Sequence, residues 1–448
     1  MIRRFLKVFI ILITASKEAF LDVYGGSILK FNALKVLLKK DFLFFLLARQ
    51  VDALGDWILL ISLPFYIYNI TGSTFAMSGM FLIQMAPRLL FGSVAGVFVD
   101  QWNNKKTMVV CDLLRALILL PLFFMDSTEW LWIIYVVGFM QSTISTFFRP
   151  ASASLLPDIV GRENLVEANS ISAISSNFTR LFGPTIGGAL FGVFGINVVI
   201  LTDIISYLLA SLLTLLISVS IYKTNPVQTE VAKNAKSRFL GFWGQWIEGL
   251  LLVKQQRLLY SIFLITGFSW LAQGIINVLF LPFVKDILNK GAFELGMIET
   301  AEGVGGLIGG ILLLQLNKKV PTLPLIIFSA GFVGIAFLVI FNSKTLLITL
   351  VVNGLLGIPS VIFFTKTETL LQTFAPKEFI GRIFGSYHTT VALMMMCGMF
   401  FASLLEKWLG ILTVLNIAGS LYVVSGITAF VLLNQVHLTN SKNHSVES

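Results

Sequence analysis

Charge is scarce in this chain: only 12% of its 448 residues are Asp, Glu, Lys or Arg, against about a quarter in soluble domains. Apolar residues make up 56%, and mean hydropathy is +0.88. A water-soluble protein of this length needs far more polar surface, so soluble enzymes are excluded, as are disordered and collagen-like chains. Two cysteines exclude a disulfide scaffold. No Gly-x4-Gly-Lys-Ser/Thr stretch cradles a nucleotide, which argues against ATP as the energy source. No His, Cys and Asp cluster has metal-ligand spacing, and no Ser, His and Asp set is placed for hydrolysis. The chain is expected to be neither an enzyme nor a metalloprotein, and to use no cofactor.

Long apolar runs are abundant. At about 20–25 residues per span the chain has room for roughly twelve transmembrane helices, and twelve segments can be drawn. Their limits are 42–69, 74–99, 107–125, 129–156, 165–193, 196–221, 258–284, 295–316, 321–342, 345–374, 379–405 and 408–434. Most breaks are a few residues long. The exception, 222–257, divides the chain into six-helix halves at 42–221 and 258–434, with an extension at 1–41 and a tail at 435–448. The expected fold class is an all-α integral membrane protein of two pseudo-symmetric bundles.

The formal charge of +9 first suggests a nucleic-acid partner. With the N-terminus cytoplasmic, however, 22 of the 32 Lys and Arg fall on the cytoplasmic side, 4 opposite (Lys285, Lys290, Lys344, Lys407) and 6 within spans. That asymmetry is the positive-inside pattern, so the basic excess sets topology, with both termini cytoplasmic in a multi-pass cell-membrane protein and no nucleic acid. The first 35 residues are ambiguous. Arg3, Arg4 and Val8–Thr14 loosely resemble a signal peptide, but Lys7 interrupts the run and no small-residue cleavage site follows. A surface-lying amphipathic helix and a start codon placed too early are the open readings.

The halves repeat their landmarks. Gly92, Gly96 and Asn104-Lys105-Lys106 return as Gly305, Gly309 and Asn317-Lys318-Lys319, each displaced by 213 residues. Pro157 with Gly161-Arg162 returns as Pro376 with Gly381-Arg382. Duplicated bundles with a site between them are the architecture of secondary transporters.

Here the chain resembles the major facilitator superfamily, from residue 42 to 434. The stretch Gly96-Val-Phe-Val-Asp100-Gln-Trp-Asn-Asn-Lys105-Lys106 is similar to that family's loop signature, with Gln101, Asn103 and Asn104 standing where a basic residue, glycine and arginine are usual. The resemblance implies a conformational latch of Gly96, Asp100, Lys105 and Lys106 with Arg382 as partner. Gly183-Pro184-Thr-Ile-Gly187-Gly188 is similar to the end of a motif of drug:proton antiporters, with Thr179 replacing an upstream glycine. Proline and glycine there make either an antiporter device or a closely packed helix. Gly138 occupies the place of that group's fourth-span arginine, a departure from its standard proton relay. Pro150–Pro157, Asn164–Asn169, Glu248–Lys254 and Gly381–Gly385 resemble the macrolide-efflux and siderophore-exporter branch.

An ionisable group at mid-bilayer costs about 2.5–3.5 kcal/mol, so each is a functional candidate. Asp56 lies 15 residues before Thr71 and Arg88 lies 15 after Ser73, which puts the two at one depth. They are expected either to couple to protons or to form a static ion pair, with Asp52 on the same helix face and Arg49 a turn below. Arg180 and Asp203 form a second candidate pair. Glu299 and Glu302, at i and i+3, attract cationic cargo, relay protons or are structural. Lys366 and Glu368 read as a solvated helix end, Asp112 and Arg115 as part of the latch. His388 is expected to be simply hydrogen-bonded, Cys111 and Cys397 to pack, and Met394–Met396 to face lipid or line a greasy pocket. Phe239, Trp243, Trp246, Leu250 and Val253 recur at helical spacing, an amphipathic helix on the cytoplasmic interface.

The function expected is proton-coupled export of amphipathic, macrolide-type compounds by alternating access, driven by the proton gradient. The central cavity is expected between helices 1, 2, 4, 5, 7, 8, 10 and 11, as the resemblance implies. Export of a specific metabolite such as a siderophore, and a non-transporting scaffold or sensor of the same fold, are the alternatives. The partners are the lipid bilayer and a small amphipathic substrate, and the protein is expected to act as a monomer.

Overall fold

Glycine and proline decide where this apolar chain turns. The computed structural model describes residues 36–99, 101–125, 127–218, 244, 246–247, 249–316, 320–376 and 379–444. In the first half these form α1 (Lys40–Thr71), α2 (Thr74–Val99), α3 (Asn104–Leu119) and α4 (Leu131–Val160). A continuous run, Leu165–Leu215, follows. It breaks at Gly195, whose φ of 75° and ψ of −176° suit glycine alone, so it is two helices: α5 (165–194) and α6 (196–215). The second half holds α7 (Arg257–Pro282), α8 (Ala292–Leu316), α9 (Thr322–Asn342), α10 (Leu346–Phe374), α11 (Ile380–Leu409) and α12 (Ile411–His444). Ten helical runs are long and apolar enough to cross a bilayer, the α5–α6 run counting as one. With that run divided, and with α1 (which carries Arg49, Asp52 and Asp56), twelve helical segments lie among the described residues.

The repeat persists in three dimensions. In each half the second helix packs on the fourth, and the first packs on the fifth and sixth. Gly410, with φ 79° and ψ 158°, makes the same kind of turn between α11 and α12 as Gly195 makes between α5 and α6. The glycine pairs behave differently, however. Gly305 and Gly309 lie against the backbone of Gly354 and Ile358 on α10, whereas a side chain at Gly92 would meet open space. The loop between α2 and α3 has a local role for one of its departures: Asn103 Oδ1 accepts from Lys106 N at 3.0 Å and caps α3. Lys105 Nζ donates to the carbonyls of Leu215 and Ile217 at 2.9 and 2.7 Å, closing the last turn of α6.

One apolar core lies within each half near the end that carries the termini, and a larger one joins the halves. Hydrogen bonds between halves gather toward the opposite, far face. Ser78 on α2 donates to Ser403 on α11 at 3.1 Å, Thr74 to Glu406 at 2.8 Å, and Tyr68 to Asp286. Thr185 on α5 and Thr300 on α8 are 2.7 Å apart. The far face is therefore closed. With Cys111 and Cys397 replaced, cysteines at 78 and 403 are expected to join on mild oxidation in most molecules. A shift on non-reducing gels reads this, and absence of the cross-link would contradict the seam.

The described part of the linker departs from a helix lying free on the membrane surface. Residues 249–255 are helical, Trp246 Nε1 donates to Thr390 at 3.2 Å, Gly249 rests on Ser386, and Val253 is buried with α7 and α11. This helix is docked on the second half because its apolar face finds a protein partner there. Residues 1–35, Asp100, Phe239, Trp243, Glu248 and Asn317–Lys319 lie outside the described residues.

Candidate functional site

The charge pattern of α1 positions the site. Arg49, Asp52 and Asp56 follow one another at three and four residues, so they form a polar stripe on one face of an otherwise apolar helix. That stripe lines a cavity of about 590 Å3 walled by the first half, with Trp57, Leu60 and Leu63 from α1 continuing the wall. Gln84 and Arg88 come from α2, Arg115 from α3, Gln141, Phe148 and Arg149 from α4, and Tyr207 from α6. The expected cavity draws on both halves, but this one is lined by the first alone.

Arg115 is the centre of this cluster, which corrects its placement in the latch. Its guanidinium, 1% exposed, donates to Asp52 Oδ1 at 2.9 Å, stands 3.5 Å from Asp112 and 4.0 Å from Asp56. It also lies over the rings of Phe148 and Tyr207, with its carbon 4.3 and 4.9 Å from their centroids. Arg115 and Asp112 thus belong to the bundle interior and not to the loop latch. Counting along α3 would find this: Arg115 lies eleven residues into that helix, as far from the terminal end as Arg88 lies from the end of α2.

The expected Asp56–Arg88 ion pair is not what Asp56 makes. Its side chain, 49% exposed to the cavity, accepts from Tyr207 Oη at 2.6 Å on one oxygen and faces Arg115 with the other. Arg88 lines the same cavity, exposed, without a hydrogen bond or ion pair among the described residues. Tyr207 escapes a search for charges, although it sits four residues after Asp203, one turn along the same face. Tyr207 Oη also lies 3.4 Å from Gln141 Oε1.

The pairing of Arg180 with Asp203 is corrected as well. Asp203 is fully buried, receives Ser206 Oγ at 3.2 Å on one oxygen and has no hydrogen-bond partner on the other among the described residues. It lies under Gly55 of α1, where any side chain would collide with it, and acts electrostatically on the cluster of Asp52, Asp56 and Arg115. Arg180 instead acts on Glu299 and Glu302 of α8, across the seam between halves. Among the described residues Arg180 makes no ion pair with either, and the carboxylates that feel its charge are those of α8 rather than Asp203.

The Gly183–Gly188 motif is part of that seam. Gly183 packs on Trp57 and Gly187 on the Ile58 backbone, both of α1. Gly188 meets the Ala292 backbone of α8, and Gly296 of α8 meets the Pro184 carbonyl. Small residues let three helices approach to backbone distance. In the latch loop, Lys105 is occupied at α6, Lys106 is exposed, Gly96 lies within α2 and Arg382 lies over the Phe379 ring. Lys366 is not a solvated end: it is buried and donates to Thr322 at 3.4 Å. His388 is exposed beside Phe384 and Tyr387, and Met394–Met396 are half-buried. Among the described residues no group of His, Cys, Asp and Glu could hold a metal ion.

Comparison with known proteins agrees with this geometry. The model of the Major Facilitator Superfamily matches residues 45–394 and 262–448. Macrolide efflux protein A of Streptococcus pyogenes is 23% identical over 401 residues, covering 88% of this chain and 96% of the relative. Macrolide efflux protein A of Enterococcus faecalis is 25% identical over 335 residues, 73% of this chain and all of that one. Among solved structures, a bacterial homologue of the iron transporter ferroportin, in an inward-facing state, superposes with a TM-score of 0.72 at 17% identity, over 88% of this chain and 99% of that one.

Proposed function

We propose, for a chain that belongs to the Major Facilitator Superfamily, that it is a proton-coupled exporter of amphipathic small molecules working by alternating access in the cell membrane, with both termini in the cytoplasm. Relationship to the macrolide efflux proteins supports export of this compound type. The observation that carries the reading is the Asp52–Asp56–Arg115–Tyr207 cluster at the wall of a cavity large enough for a small molecule.

Asp52 and Asp56 both line the cavity and face Arg115, but Asp56 is half-exposed where Asp52 is buried, so a proton arriving from the cavity reaches Asp56 first. Protonation removes the attraction between Asp56 and Arg115, and leaves Arg115 to Asp52 and Asp112. Residues 57 and 58 of α1, next in the chain, support Gly183 and Gly187 of α5, and Gly188 rests on α8. A change in how α1 is held is thus adjacent to the seam that must open for alternating access. The electrostatic attraction of Arg180 for Glu299 and Glu302 acts across the same seam and would change between the two states. The Asp100–Arg382 latch belongs to the same proposal, as the contact that would close the terminal face.

Asp56→Asn tests the coupling. In vesicles with an imposed proton gradient, gradient-driven transport is expected to fall at least ten-fold, while substrate exchange without a gradient stays within a few-fold. If the Asn variant responds to the gradient as the parent does, coupling through Asp56 is wrong.

A further inference from the structure

The arginines of the cavity exceed what its carboxylates can satisfy. Arg49, Arg88, Arg115 and Arg149 line it, against Asp52 and Asp56. Asp52, buried, accepts from Arg115, while Asp56, half-exposed, accepts from Tyr207 and has its other oxygen 4.0 Å from Arg115. Arg49 donates to Ser152 Oγ at 2.6 Å. Arg88 and Arg149, both exposed to the cavity, have neither a hydrogen bond nor an ion pair among the described residues. They act on each other as like charges, and Asp56 reaches Arg88 only through the longer-range field. They stand at one depth: Arg88 is eleven residues before the end of α2 at Val99, and Arg149 eleven before the end of α4 at Val160. At 1.5 Å per residue this is about 16 Å from the terminal ends of those helices.

Two guanidinium groups on one cavity wall repel each other, and an anion bound to both relieves that repulsion. Guanidinium forks match the oxygens of a carboxylate or phosphate two at a time. The rest of the wall has apolar and aromatic side chains, with Trp57, Leu60, Leu63 and Phe148. We propose that the cavity takes an amphipathic anion, its carboxylate or phosphate group held by Arg88 and Arg149 and its apolar body against Trp57, Leu60 and Phe148. A cationic amphiphile would meet four arginines there, with Asp56 as the one exposed carboxylate to oppose them. The inference rests on reading this cavity as the cargo site, and it narrows the cargo to acids. A soluble acid and an anionic lipid headgroup present the same chemistry.

Binding tests this without transport. Full-length protein in an uncharged detergent is titrated with decyl phosphate and with decanoate, against decylamine and decanol of equal chain length. Tryptophan fluorescence and unfolding temperature report occupancy. Both anions are expected to bind at least ten-fold more tightly than the amine or the alcohol. Arg88→Gln combined with Arg149→Gln should weaken anion binding at least ten-fold with the elution volume unchanged, and the Lys pair at these positions should retain it within a few-fold. If the Gln pair fails to fold, each single Gln variant is expected to lose three-fold or more. Equal binding of decylamine, or anion binding indifferent to these substitutions, overturns the proposal. Phosphatidylglycerol that displaces decyl phosphate, where phosphatidylcholine does not, identifies a lipid headgroup as the source; no displacement by either identifies a soluble acid. Anion binding with no movement of any acid into vesicles would sink the exporter reading and leave the anion site standing. Transport that prefers the amine would do the reverse.

Discussion

Replacing Arg115 by glutamine is expected to cost about 3–5 kcal/mol of stability, the range seen when one partner of a buried ion pair is removed. It should also abolish gradient-driven transport. The reason is the company Arg115 keeps. Asp52, with its side chain 8% exposed, and Asp112, at 1%, have this guanidinium as their close cation, and Asp56 shares it. Without it, carboxylates remain in an apolar interior with no counter-charge, and the Phe148 and Tyr207 rings lose the planar group stacked between them. Arg115→Lys restores the charge but not the fork or the stacking, so an intermediate loss is expected. Removing a carboxylate together with the cation, as Asp52→Asn with Arg115→Gln, should recover part of the stability and none of the transport. Equilibrium unfolding of the purified protein in detergent measures these differences. A loss below about 1 kcal/mol for the Gln variant would show that the cluster is solvated rather than buried, since exposed ion pairs contribute no more than that.

Gly188→Val should act on conformation with little effect on folding within either half. A Cβ at this position runs into the Ala292 carbonyl of α8, backbone that cannot rotate away. The contact joins α5 of one half to α8 of the other, so the clash is relieved by parting the halves at the far face. Overpacking typically costs about 1–3 kcal/mol, which is enough to shift a balanced pair of states by roughly five-fold to a hundred-fold. The cross-link between cysteines at 78 and 403 reads this directly: in the Gly188→Val background its yield should fall several-fold, and transport with it. Gly357→Val makes the contrast. Its Cβ meets the Glu302 carbonyl, also backbone, but α8 and α10 belong to one half, so the variant should lose stability and expression rather than change the cross-link in the molecules that fold. An unchanged cross-link yield in Gly188→Val would mean that α5 and α8 are not the seam that moves.

Much of this protein is legible in its amino-acid order. The apolar runs report twelve helices because a bilayer-spanning segment must satisfy its own backbone hydrogen bonds, which leaves composition little freedom. The repeat is visible in its glycines. Its clearest landmark, Gly195 with Gly410 at the fifth-to-sixth and eleventh-to-twelfth turns, is hidden there because single glycines are common in such chains. The candidate acids of α1 are visible too, since Asp52 and Asp56 are conspicuous in an apolar helix.

Partnership is decided by tertiary structure alone. Helical spacing tells which residues share a face of one helix, and loop counting tells depth, but neither gives the azimuth of one helix about its axis relative to another. Arg88 and Arg115 stand at one depth on consecutive helices, so depth alone offers both as partners of Asp56, and packing chooses Arg115. In the same way the charge of Arg180 on α5 is felt by Glu299 and Glu302 of α8 rather than by Asp203. Scarce charge says that this chain lives in a membrane; the rotation of α2, α3 and α4 about their axes decides that Arg115 is consumed within the protein, while Arg88 and Arg149 are left for a ligand.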